Sequence, residues 1–288
     1  MKPPNSYLKN EETNDRIVDK IDIDGVEISL SPPTTFKTQW IGQDRVQNQL
    51  KASWLVLEET DLPLTPRIIG PPGVGKTTMA YSTAKELEKD VYFFQATMDT
   101  RPEDLIVTPV VAGQQEIRYV ASPLVSAMVT GGVLILDEGN RMAEKSWASL
   151  APLLDQRRYV ESTIAGITIN AHPDFRMCTT MNTDASTFEL PEYIISRLQP
   201  VIELDFPTAD EEREILRYSV PFAPQQLVNM VVSFLQAAHH DAQPYTVRSG
   251  IQVVQYCLKL QQTTGQDQQT ALYSAIQQIV GDDGLNYL

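Results

Sequence analysis

At 288 residues, 42% of them hydrophobic and 21% charged, the chain is long enough to bury a large core without covalent staples. Its formal net charge of −14, with Lys and Arg scattered singly and no basic patch, excludes a general affinity for nucleic acid or anionic membranes. The two cysteines, Cys178 and Cys257, lie in separate apolar segments, which implies reduced, buried thiols and a cytoplasmic setting; no apolar run reaches the ~20 residues of a membrane span, and the N-terminus is too polar for a signal peptide.

Residues 1 to about 20 carry few apolar groups and read as a mobile arm or one ordered by a partner. In "KIDIDGVEISLSPP", Asp24-Gly25 divides an alternating apolar run, which predicts a hairpin. Val46, Leu50, Trp54 and Leu57 then fall at helical spacing between Gln43 and Glu58. From Pro66 onward strands and helices alternate. The strand candidates "RIIG", "VYFFQAT", "GVLILDE", "FRMCTTMN" and "PVIELDF" are short and continuously apolar, as a parallel sheet covered on both faces requires.

Two β-rich segments, "LIVTPVVAGQQEIRYV" and "RRYVESTIAGITINAHPDF", interrupt this rhythm as expected hairpins. After about residue 207 the pattern turns helical. The expected organisation is an arm and hairpin over 1–35, an αβα domain over 36–206 and a helical unit over 207–288. Trp54 and Trp147 occupy helical apolar positions and read as core, whereas His239-His240 reads as a solvated helix end.

"GPPGVGKTTMA", from Gly70, follows a strand and precedes a helix, which is the phosphate-loop pattern. Glycines let the backbone N–H groups of Gly70, Pro71, Pro72, Gly73, Val74, Gly75, Lys76, Thr77 and Thr78, prolines excepted, curl around phosphates at the positive end of the helix dipole. Lys76 reaches the outer phosphates, and Thr77 offers a hydroxyl to Mg²⁺. In "GGVLILDEGNRM" a buried strand ends in Asp137 and Glu138. Asp137 is placed to hold Mg²⁺ and Glu138 to orient or deprotonate water, although Asp137 could instead cap the next helix. Asn182 ends the strand "FRMCTTMN", where its amide could position water beside Glu138; turn chemistry also explains an asparagine there.

With "DTRPEDLI", "LLDQRRY", "LPEYIISRL" and "TVRSG", these segments occur in the order of a known family over roughly residues 36–255. The chain resembles an AAA+ ATPase, and within that superfamily the MoxR-like branch. The resemblance implies a three-layer αβα P-loop domain with a five-stranded parallel sheet, a small helical lid, ATP and Mg²⁺ bound between them, and homo-oligomeric rings, most often hexamers. It implies that Arg197 reaches the ATP of an adjacent subunit, where a guanidinium is worth ~10³ or more in rate. A surface pairing with Glu192 or Asp205 is the plainer alternative. Arg248, near the start of a lid helix capped by Thr246, matches the second sensor; Arg141 either faces a neighbour or makes an ordinary surface pair. The family often has Arg-Phe where this chain has Arg197-Leu198, and Gly where it has Ile106.

The resemblance implies remodelling or activation of a partner protein, including insertion of a cofactor or metal; such partners frequently carry a von Willebrand factor A domain. A nucleic-acid motor needs basic hairpin tips, and "VVAGQQE" and "STIAGIT" have none. A threading unfoldase needs an aromatic on a pore loop, and neither hairpin centre supplies one.

Overall fold

The computed structural model describes residues 19–112, 116–183 and 189–288. Of the arm expected over residues 1 to about 20, residues 1–18 lie outside the described residues, as does the centre of the first insertion hairpin, 113–115. Strands β1 (Lys20–Ile23) and β2 (Val26–Ser29) form the expected hairpin. Asp24 and Gly25 at its turn both have positive φ, 53° and 81°, the twist that matches antiparallel strands.

Helix α1 (Asp44–Trp54) ends earlier than its apolar spacing predicts. The Trp54 carbonyl accepts from Arg176 Nε at 2.7 Å, its indole donates to the Met177 carbonyl, and Leu55 turns extended. Leu57 is therefore 76% exposed, not core, whereas Val46, Leu50 and Trp54 are buried.

The alternating section runs β3 (Arg67–Gly70), α2 (Lys76–Glu86), β4 (Val91–Gln95) and the single turn α3 (Pro102–Leu105). Next come the hairpin β5 (Val107–Ala112) and β6 (Glu116–Ala121), α4 (Pro123–Thr130), β7 (Val133–Asp137) and α5 (Glu144–Leu150). The hairpin β8 (Tyr159–Ser162) and β9 (Ile167–Asn170), β10 (Arg176–Asn182), α6 (Glu192–Ile195) and β11 (Val201–Glu203) complete it. Ser122 caps α4 by accepting from the Val125 N–H, with Pro123 at the first helical position.

Five strands make an all-parallel sheet in the order β11-β3-β10-β7-β4. Its period of two sorts β7 between layers: Leu134 and Leu136 join Trp147, Leu150 and Met177 on one face, Val133 and Ile135 join Ile68, Met79 and Cys178 on the other. Two-sided burial is why these strands read as unbroken apolar runs. The expected five-stranded parallel sheet is thus present, with helices on the sheet and a helical region after it.

Helices α7 (Ala209–Ser219), α8 (Gln225–His240), α9 (Val247–Thr264) and α10 (Gln268–Val280) pack around their own core, which includes Leu216, Val231, Phe234, Val253, Cys257 and Ile276. Thr208 and Glu211 form a capping box on α7, and Glu211 Oε1 also accepts from the Gln43 N–H at 2.7 Å, tying the segment before α1 to the helical region. Cys178 and Cys257 are free and buried, as expected. The first insertion hairpin does not stand alone: β6 pairs in parallel with β2, so β1-β2-β6-β5 form one four-stranded sheet. Among the described residues no helix is long and apolar enough to cross a membrane.

Candidate functional site

The parallel register sets the site. Gly70 stands opposite Asn182 across β3 and β10, Thr179 opposite Leu136 across β10 and β7, so the carboxyl ends of three adjacent strands deliver Gly70, Asn182 and Asp137 together. Between β3 and α2 the loop turns through Gly73 and Gly75, with φ of 82° and 104°. Both positions are also crowded: a Cβ on Gly73 would lie 2.6 Å from Thr246 Oγ1, and one on Gly75 2.9 Å from the Trp40 ring.

Lys76, 6% exposed, donates from Nζ to the carbonyls of Gly70 and Pro71, at 2.9 and 2.8 Å, and to Asn182 Oδ1 at 2.8 Å. Thr77 Oγ1 donates to Asp137 Oδ1 at 2.6 Å, and Thr180 donates to the same oxygen at 2.6 Å. Asp137 caps no helix; Ala143 precedes α5.

Glu138 takes a left-handed φ of 55°, uncommon for a residue with a side chain, and its N–H donates to Thr180 Oγ1 at 3.2 Å. Its carboxylate is held at both oxygens: Arg141 Nε lies 2.7 Å from Oε2, and Asn182 Nδ2 donates to Oε1 at 3.4 Å. Arg141 therefore pairs within the chain. Trp147 Nε1 donates to the Gly139 carbonyl and Asn140 Nδ2 to the Asn182 carbonyl, fixing the turn that carries Glu138.

One cleft is lined by Pro72, Gly73, the stretch from Gly75 to Thr78, Asp137, Glu138, Thr180, Asn182 and Arg248. Gly70 and Pro71 instead turn their carbonyls to Lys76, and Val74 is buried in the core. Arg248 enters from the start of α9, where Thr246 is the N-cap, as the sequence predicts.

Beside the cleft lies a cavity of about 250 Å³ bounded by Trp40, Ile41, Val74, Ile215, Val247 and Ile251 and sharing Gly73, Gly75, Thr78 and Arg248 with it. Of its lining, Trp40, Ile41, Ile215, Val247 and Ile251 escaped sequence reasoning, as did Thr180. The period of two that puts Thr180 on the side of Asn182 was the available signal for the latter. Arg197 stands outside the cleft. Its Nε and Nη2 lie 3.4 Å from Asp155 Oδ2 and its Nη1 donates to the Tyr193 carbonyl at 2.6 Å, so neither Glu192 nor Asp205 is its partner.

Residues 67–198 match the family model of the AAA domain (dynein-related subfamily). An uncharacterized protein of Staphylococcus saprophyticus is 24% identical over 170 residues, 57% of this chain and 64% of that relative's length. One from Staphylococcus haemolyticus is 25% identical over 204 residues, 69% of this chain and 75% of the relative. Among solved structures, the Thermotoga maritima RuvB Holliday junction branch migration motor superposes with a TM-score of 0.56 at 18% identity, over 85% of this chain and 72% of that one. NtrX from Brucella abortus, in complex with ADP, does so with 0.51 at 18%, over 77% and 51%. These are likenesses of fold. With the phosphate loop, the acidic strand end and Asn182 meeting at one sheet edge, the chain has the AAA+ P-loop fold, and its residues 67–198 are similar to the AAA domain of the dynein-related subfamily.

Proposed function

We propose that the chain is a ring-forming AAA+ ATPase of MoxR type, which hydrolyses Mg-ATP to remodel or activate a partner protein. The observation that carries the reading is the convergence of Lys76, Thr77, Asp137, Glu138 and Asn182 on one cleft, at hydrogen-bond distances from one another. The nucleoside fits the apolar cavity behind Trp40 and Ile41, and the phosphates fit over the N-terminus of α2 beside Lys76. NtrX, whose structure holds ADP, shares this fold.

Thr77 and Asp137 offer a hydroxyl and a carboxylate oxygen 2.6 Å apart, the hard oxygen donors that Mg²⁺ prefers, so the residues present fit the ion. Bound there, it would neutralise charge on the phosphates. Glu138 accepts the proton of the attacking water, and Asn182 keeps the Glu138 carboxylate and Lys76 in fixed relation. Arg248 brings a guanidinium from the helical region. Arg197, outside its own cleft, serves the site of the next copy in the ring, for which a hexamer is the expected size.

The partner is a protein, in this family frequently one with a von Willebrand factor A domain, and not nucleic acid. Val111 and Ile117 on the first insertion hairpin are 75% and 61% exposed, and the net charge is −14.

The decisive experiment is Glu138→Gln. Nucleotide affinity should stay within a few-fold while turnover falls by about 10² or more. Turnover near that of the unmodified chain would remove Glu138 from its role and the hydrolytic reading with it.

A further inference from the structure

Asp155 is shared unequally by two arginines. Arg157 grips it with three short contacts, Nε at 3.0 Å and the backbone N–H at 3.0 Å to Oδ1, Nη2 at 2.8 Å to Oδ2. Arg197 touches only Oδ2, through Nε and Nη2 at 3.4 Å each, the outer limit of a hydrogen bond. The grip on Arg157 is the two-pronged geometry in which a guanidinium and a carboxylate bind most strongly; the contact to Arg197 is long, and the shortest hydrogen bond of Arg197 is the one from Nη1 to the Tyr193 carbonyl at 2.6 Å. One carboxylate between two guanidiniums also leaves a net positive charge. Arg157, and then Arg197, hold the Asp155 carboxyl well below the usual carboxylate range.

The scaffold beneath is rigid. Leu153 and Leu154 precede Asp155, Ile194 and Leu198 flank Arg197, and all four are buried in the same core. Two loops 42 residues apart are thus fixed by packing so that their charged side chains meet at a surface where Arg157 is half exposed.

We propose that Asp155 and Arg157 are positioning residues for Arg197: Asp155 aims its guanidinium, and Arg157, by occupying that carboxylate, keeps Arg197 free to transfer to the γ-phosphate of ATP held by the adjacent subunit. This rests on the reading of Arg197 given above. Without Arg157 the carboxylate is free to take Arg197 in the same two-pronged grip and to neutralise it. The pair therefore acts as a releasable rest for the charge that the neighbouring site needs.

The test is steady-state ATP turnover by the full chain, with assembly followed by light scattering. Arg157→Gln should lower kcat roughly tenfold with KM and ring assembly unchanged. The double variant Arg157→Gln/Asp155→Asn should recover part of that loss, because the competing carboxylate is gone; a merely structural role predicts that the double variant is worse. Mixing Arg157→Gln subunits with Glu138→Gln subunits should restore activity above the weighted sum of the two, since the second kind donates an intact Arg197. Should Arg157→Gln fold poorly, Arg157→Lys retains a charge but loses the fork and reads the same split. Unchanged kcat for Arg157→Gln, or a double variant below the single one, overturns the inference alone when Arg197→Ala still abolishes turnover. If Arg197→Ala is itself fully active, the trans reading of Arg197 falls and the inference falls with it.

Discussion

Asn182 Oδ1 lies 2.8 Å from Lys76 Nζ, while the Nδ2 of the same amide reaches Glu138. One uncharged side chain thereby bridges a cation and an anion in the cleft, the two groups proposed above to meet phosphate and water. Its place at the end of the central β10 is what allows both contacts, since β3 lies on one side and β7 on the other.

Asn182→Ala cuts this bridge but leaves Lys76 its two carbonyl acceptors, Gly70 and Pro71. The fold should survive and nucleotide affinity should change little, while kcat drops by about 10- to 100-fold as Glu138 loses its orientation. Equilibrium nucleotide binding and single-turnover hydrolysis separate the two effects. A loss confined to binding would show that the amide holds Lys76 and not the water.

Gly75 faces the Trp40 ring at a distance that admits no methyl group, and its φ of 104° disfavours any side chain. Gly75→Ala should weaken nucleotide binding by about tenfold or more through this double penalty. Trp40 is the one of the three tryptophans that borders the apolar cavity, Trp54 and Trp147 being buried in the core. Added nucleotide should therefore alter tryptophan emission in the unmodified chain, and Trp40→Phe should abolish that response. A response that persists without Trp40 would place the nucleoside elsewhere.

Glu212 on α7 is fully buried, with Gln236 Nε2 donating to Oε2 at 2.9 Å and His239 Nδ1 3.7 Å from Oε1. Burial pushes its carboxyl up to about 7 from 4.5. The folded chain then holds a proton that the unfolded chain has released, so stability declines as pH rises from about 4.5 to about 7 and stays level above. Burial lowers the pKa of His239, which costs stability only as pH falls below the ordinary 6.5. Glu212→Gln keeps the contact with Gln236 and removes the buried charge. Melting at pH 8 should shift upward, by the equivalent of at most about 3 kcal/mol, with a far smaller difference at pH 5. Equal shifts at both pH values would mean that packing, not ionisation, is responsible.

The strands and the phosphate loop were legible because each is written locally: two-sided burial leaves apolar runs such as Val133 to Leu136, and the loop needs glycines at fixed spacing. The end of α1 was not, because Leu57 continues the helical spacing while the contacts that stop the helix, at Arg176 and Met177, come from more than a hundred residues away. Asp155 as the companion of Arg197 was hidden for the same reason. So was the cavity beside Trp40, whose walls come from a segment before α1, the phosphate loop, α7 and α9. Pairings within a segment leave a trace in spacing; pairings between distant segments leave none.

The parallel seam between β2 and β6, with Ile28 opposite Tyr119 and Ser29 opposite Val120, has a consequence for how copies behave toward one another. The leading hairpin is a sleeve over the flank of the insertion. Cleavage near residue 30 would strip that sleeve and bare a row of amides and carbonyls on β6, a flank ready to capture an extended segment of another molecule. Trimmed material would then associate through borrowed strands and not through the ring contacts proposed above.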